Sequence, residues 1–61
     1  MKPQQGQIND LKKAGIFADN VQIVCEAGAD NGHTFNGEFL AKVGRKFHRI
    51  NNGKLIKTIK P

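Results

Sequence analysis

Asn36-Gly37-Glu38-Phe39-Leu40-Ala41-Lys42-Val43-Gly44 admits two readings, and the choice between them sets the fold. As a strand, it turns Phe39, Ala41 and Val43 to one side, and Gly44 bends the chain into Arg45. As a helix, it is capped by Asn36, carries Phe39, Leu40 and Val43 on one stripe, and stops at Gly44. The segment between those caps is only about two turns long, too short for a helix that must hold itself together. The strand is therefore preferred. The expected fold is α+β: a short N-terminal helix packed on a small antiparallel sheet of three to four strands, ending in a β-hairpin. The helical reading would instead give α-β-α-β-β with a wing-like terminal hairpin.

Upstream, Ile8 and Leu11 sit three apart on one helical face, with Asn9, Asp10, Lys12 and Lys13 covering the rest. Pro3 suits a first helical turn, where its missing N–H has no intrahelical partner to lose. Lys12 and Lys13 complement the dipole at the C-terminal end. Gly15 reads as the left-handed C′ residue, which makes Leu11 and Ile16 the apolar pair that closes the cap. Gly6 argues against an early start, since glycine inside a helix costs about 1 kcal/mol.

After Asp19-Asn20 the pattern changes. Val21 to Cys25 is rich in β-branched residues, with Val21, Ile23 and Cys25 expected on one side. Asn-Gly pairs at Asn31-Gly32, Asn36-Gly37 and Asn52-Gly53 are hairpin candidates, because both residues tolerate the positive φ of a type I′ turn. The last is the clearest, flanked by Arg45–Ile50 and Leu55–Ile59. A two-residue loop there pairs Ile50 with Leu55 and leaves Phe47, Ile56 and Thr58 on the opposite face. A three-residue loop groups Phe47, Leu55 and Ile59 instead. Neither register makes one face wholly apolar, so partial cover on both faces is expected.

The 61 residues form one small domain, residues 1–61, whose core must come from sixteen large apolar side chains. The single cysteine excludes an internal disulfide and points to a reducing, cytoplasmic setting. No apolar run approaches the ~18 residues of a membrane span, so no membrane partner is expected.

Charge is the strongest functional signal. Asp10, Asp19, Glu26, Asp30 and Glu38 all precede position 41, leaving the first forty residues at −2, whereas the last twenty-one carry seven cations and no acid. Such one-signed fields attract polyanions. Lys42, Arg45, Lys46, Arg49, Lys54, Lys57 and Lys60 are the candidate nucleic-acid contacts, acting on phosphates. Phe47 and His48 lie among them as candidate stacking residues, although Phe47 also fits a core position. Lysines on exposed strands equally serve to deter edge pairing. The aromatic strand motif of RRM domains and paired zinc ligands are both missing.

Catalytic chemistry finds little footing. Cys25 falls in an apolar strand pattern, where cysteine behaves as a small hydrophobe. His33 reads as a loop residue, and Cys25, His33 and His48 lack zinc-ligand spacing. Asp30 and Glu38 form no acid–base pair, and Gly28-Ala29-Asp30-Asn31-Gly32 lacks the lysine of a phosphate loop. No catalytic residue, metal or cofactor is expected. The function read from the chain is a small basic, non-enzymatic nucleic-acid-binding module, for DNA or RNA. The alternative is a protein-binding adaptor or inhibitor that docks its basic hairpin on an acidic partner surface. The lopsided charge also permits a homodimer.

Overall fold

The computed structural model describes residues 1–61. A helix α1 (Gln5–Lys13) precedes four strands, β1 (Val21–Asp30), β2 (Phe35–Val43), β3 (Lys46–Asn51) and β4 (Lys54–Ile59). They form one antiparallel meander in the order β1-β2-β3-β4. The decisive segment is strand, so the α-β-α-β-β alternative is set aside. Phe39 and Ala41 are fully buried and face α1.

The helix ends as its sequence demands. Ile16 N–H donates to the Leu11 carbonyl and Gly15 N–H to that of Lys12, both 2.9 Å, with Gly15 at φ +83°. That is the Schellman arrangement, and Ile16 packs on the core beside Leu11. The start differs from expectation, because Gln4 is the N-cap and Pro3 precedes it. Gln7 reaches back to accept the Gln4 N–H at 2.8 Å, the returning arm of a capping box. Gly6 is buried because the helix presses on the β1–β2 loop there. A Cβ on it would meet the Asp30 carboxylate and come within 2.5 Å of the Thr34 carbonyl carbon.

Asp10 is not a surface residue. It is fully buried, its carboxylate accepting from Thr34 Oγ1 at 2.6 Å and from Phe35 N–H at 3.0 Å. These two bonds fix the helix to the start of β2. Gln7, equally buried, donates to Glu26 on β1 at 2.9 Å.

Only one Asn-Gly pair closes a two-residue hairpin. Asn52 (φ +48°) and Gly53 (φ +80°) join β3 to β4, as a type I′ turn requires. Asn31-Gly32 lies in a longer loop, where Asn31 Oδ1 accepts the N–H groups of His33 and Thr34. Asn36-Gly37 is no turn at all, since both residues lie inside β2. Gly37 faces Gly28 across the ladder, at φ +127° and +145°. A Cβ on either would strike the opposing backbone, so this crossing admits only glycine. The remaining reversal, β2 to β3, is made by Gly44 and Arg45, so Arg45 is a turn residue and not the first of a strand.

Two bulges assign the faces. The β1–β2 register shifts between Ile23 and Cys25, with Val24 as the extra residue. Ile23 points to the core, but Cys25 turns outward and is exposed, which corrects its expected core position. The terminal hairpin keeps the two-residue-loop register next to the turn and departs from both candidate registers beyond it. Ile50 pairs with Leu55 next to the turn, Ile56 is the extra residue, and beyond it His48 pairs with Thr58 and Phe47 with Ile59. Leu55, Ile56 and Ile59 remain exposed, so the hairpin is not covered on both sides as expected.

The core consists of Leu11, Ile23, Phe35, Phe39, Ala41 and Ile50, with the Phe35 and Phe39 rings edge to face at 5.4 Å. It sits between α1 and the inner face of β1–β3. The other face of the sheet carries no helix.

Candidate nucleic-acid interface

Strand alternation and register together lay out the helix-free face as a grid. One cross-strand row is Gln22, Lys42, Phe47 and Ile59; the next is Cys25, Leu40, Arg49 and Lys57; a third is Ala27, Glu38, Asn51 and Lys54. Four of the seven candidate cations, Lys42, Arg49, Lys54 and Lys57, therefore share this face. The other three do not. Arg45 lies in the β2–β3 turn, Lys46 follows the inner-face register opposite Val43, and Lys60 lies past the end of β4.

Acids are sorted the other way. Asp10 is buried beneath α1, Glu26 bonds to Gln7 of that helix, and Asp30 lies against its first turn, where the dipole favours an anion. Glu38 is the one acid on the helix-free face, and its carboxylate is 3.8 Å from Arg49 Nε. Both side chains are about half exposed, so this contact is a weak, solvent-screened pair.

The two candidate stacking residues part company. Phe47 is half-buried in the helix-free face, not in the core, and Lys42 Nζ stands over its ring 6.0 Å from the centroid. That separation is at the outer limit of a cation–π contact. His48 lies on the inner face, 7% exposed, with Nδ1 3.0 Å from Thr58 Oγ1. Burial, and then the nearby Lys46 charge, lower its pKa from the ordinary 6.5. It is a neutral structural residue with no ring face free for a base.

Leu40 and Ile59 were not among the expected contacts, yet they flank Arg49 and Phe47 on the same face. Alternation along β2 puts Leu40 on the side opposite the buried Phe39 and Ala41, whereas the side of Ile59 is set by the Ile56 bulge. Cys25 is exposed on the outer face, His33 lies in an exposed loop and His48 faces inward, so the three do not share a face.

A hollow of about 610 Å³ lies between α1 and the start of β1, lined by Ile8, Leu11, Ile16 and Val21 with Lys2 and Lys12. Ligand pockets hold a few polar groups in preset positions. The lysines here are not fixed by any hydrogen bond, and Asp19 stands among them. The helix-free face is the better candidate.

What fold and face define is a class: a small α+β meander, one sheet face sealed by a helix, the other open and cationic. Comparison with protein families, with curated proteins and with solved structures returned no match. No helix of the chain is long and apolar enough to cross a membrane.

Proposed function

We propose that this chain is a small non-enzymatic nucleic-acid-binding module that engages phosphates through the helix-free face of its sheet. One observation carries the reading: the fold gathers Lys42, Arg49, Lys54 and Lys57 on one face and leaves Glu38 as its only acid. A one-signed surface of this kind attracts a polyanion and releases its counterions on contact. The exposed Cys25 thiol fits a reducing cytoplasmic setting.

The test compares two charge-matched variants by fluorescence anisotropy with labelled DNA and RNA. Lys42, Arg49 and Lys57 changed to Gln removes three of the four cations of the face, whereas Arg45, Lys46 and Lys60 changed to Gln removes the same charge elsewhere. The first set should abolish binding and the second should leave most of it. For about four phosphate contacts on a single strand, raising salt from about 50 to 200 mM should weaken wild-type binding on the order of 50-fold. Equal losses in both variants would reduce the effect to net charge.

A second reading rests on β4. It is an edge strand with one side unpaired, and Leu55, Ile56 and Ile59 stand exposed along it among Lys54, Lys57 and Lys60. Such an edge accepts an added strand, and its lysines would select an acidic one. Changing Leu55 and Ile56 to Thr should then cost protein-partner affinity while leaving nucleic-acid binding intact. The opposite edge offers less, because Met1 exchanges backbone hydrogen bonds with Ile23 at 3.0 and 2.7 Å and Val24 bulges beside it.

A further inference from the structure

Resting on the nucleic-acid reading, we propose that the helix-free face is a platform for single-stranded nucleic acid, with a base stacked on Phe47 and the adjoining phosphates on Arg49 and Lys57. The shape of the face argues first. It is the side of a meander whose two tight reversals, Gly44-Arg45 and Asn52-Gly53, are two residues each. It presents no helix or long loop to enter a groove, which is how most modules read a duplex. The only helix lies on the opposite side, with Asp10 and Gln7 buried under it. An open sheet face suits unpaired bases, which can lie flat on it.

The chemistry of the two central rows argues next. Phe47 sits between Lys42 and Ile59, so its ring is bordered by one cation and one apolar side chain. Lys42 Nζ stands above that ring at 6.0 Å, on the outer, partly exposed side of the sheet. A base arriving there displaces a weakly held ammonium, which moves to the phosphate that accompanies the base. The neighbouring row places Leu40, Arg49 and Lys57 in direct cross-strand succession, each about 4.8 Å from the next. The two rows are two residues apart along β2, β3 and β4, about 6.8 Å. That step lets one nucleotide place its base on the Phe47 row and its phosphate on the Arg49 row.

Charge then limits the track. The β1 side of the face is Cys25, Ala27 and Ala29, without a cation, and Glu38 bounds it on β2. Phosphates are held on β2, β3 and β4, with Lys42 as the only cation on β2, and the chain measures only 30 × 21 × 20 Å. A single strand of a few nucleotides spans it, within the ~4–16 nucleotides that comparable sheet surfaces cover.

The experiment uses the full chain with oligo(dT), oligo(rU) and a duplex, each of about 12 residues per strand. Anisotropy should show single strands bound at least about 10-fold more tightly than the duplex, the two sugars being distinguished by the first two arms. Phe47→Leu, which keeps apolar bulk without a π face, should lower single-strand affinity about 10-fold and leave duplex binding unchanged. The chain contains no Trp or Tyr, so Phe47→Trp supplies a sole fluorophore. Its emission should be quenched by oligo(dT) and not by inorganic polyphosphate, and this variant decides the matter if Phe47→Leu fails to fold. Salt-sensitive binding that is equal for duplex and single strands overturns this inference and leaves the nucleic-acid reading standing. Single-strand preference without quenching in Phe47→Trp, or without loss in a folded Phe47→Leu, overturns the stacking platform. No binding to any polymer overturns both.

Discussion

Replacing a helical glycine by alanine ordinarily stabilises a helix by roughly 1 kcal/mol. At position 6 the packing reverses that sign, because the added Cβ would collide with the Asp30 carboxylate and with the Thr34 carbonyl oxygen 2.6 Å away. Backbone is one of the obstacles and cannot swing aside. Gly6→Ala should therefore lower stability by about 1–3 kcal/mol, the usual range for overpacking. Thermal unfolding reads it, at about 4–8 °C per kcal/mol for a domain of this size; a raised midpoint would refute the close approach. Asp10 illustrates a different limit on local reading. Its position on the helix looks outward, yet its carboxylate holds Thr34 Oγ1 and Phe35 N–H in the interior. Asp10→Ala leaves a buried backbone donor without its partner and should cost on the order of 2–4 kcal/mol. A loss below about 0.5 kcal/mol, typical of surface sites, would show those bonds to be idle.

At the scale of elements, the β3–β4 pairing contains a proton-sensitive contact. His48 is held neutral beside Thr58, and its pKa in the fold lies below the unfolded value near 6.5. A base whose folded pKa is lowered contributes its stability in full above the unfolded pKa. That stability is lost as the pH falls below about 6.5, where the unfolded chain takes up the proton more readily. Urea unfolding midpoints should thus fall between pH 7 and pH 5, and His48→Gln should flatten the part of the slope this residue supplies. An unchanged slope in the variant would remove His48 from the account. The Asn52-Gly53 turn is a second element with a definite role. Asn52 tolerates φ +48°, its Oδ1 accepts the Gly37 N–H at 3.0 Å, and its own N–H donates to the Gly37 carbonyl at 2.8 Å. Asn52→Ala loses the side-chain bond and strains the turn, so a cost of about 1–3 kcal/mol is expected in chemical denaturation. The turn was legible from two residues because its chemistry is local. Asn36-Gly37 carries the same two letters and is a strand, since facing Gly28 at van der Waals distance gives those glycines a tertiary reason to be there.

For the molecule as a whole, the separation of charge along the chain becomes a separation across the sheet. The N-terminal acids are drawn to the helix side, and the C-terminal cations are divided between the open face and its margins. Glu38 is the exception, and it supplies a sign test. Glu38→Gln should raise nucleic-acid affinity several-fold at low salt, and the gain should shrink as salt screens the field. An unchanged affinity would place the polymer away from this face. Residue order alone left β2 open between strand and helix, but determined the helix stop at Gly15, the strand character of the start of β1 and of β3 and β4, the Asn52-Gly53 hairpin and the cationic C-terminal third. These depend on interactions within a few residues or on composition. The side to which Cys25, Lys57 and Ile59 point was decided by tertiary structure. A strand alternates with a period of two, so the single extra residues Val24 and Ile56 exchange every side chain beyond them between core and surface. Where such a residue is accommodated depends on which strands pair and what the core can hold. No local pattern records that.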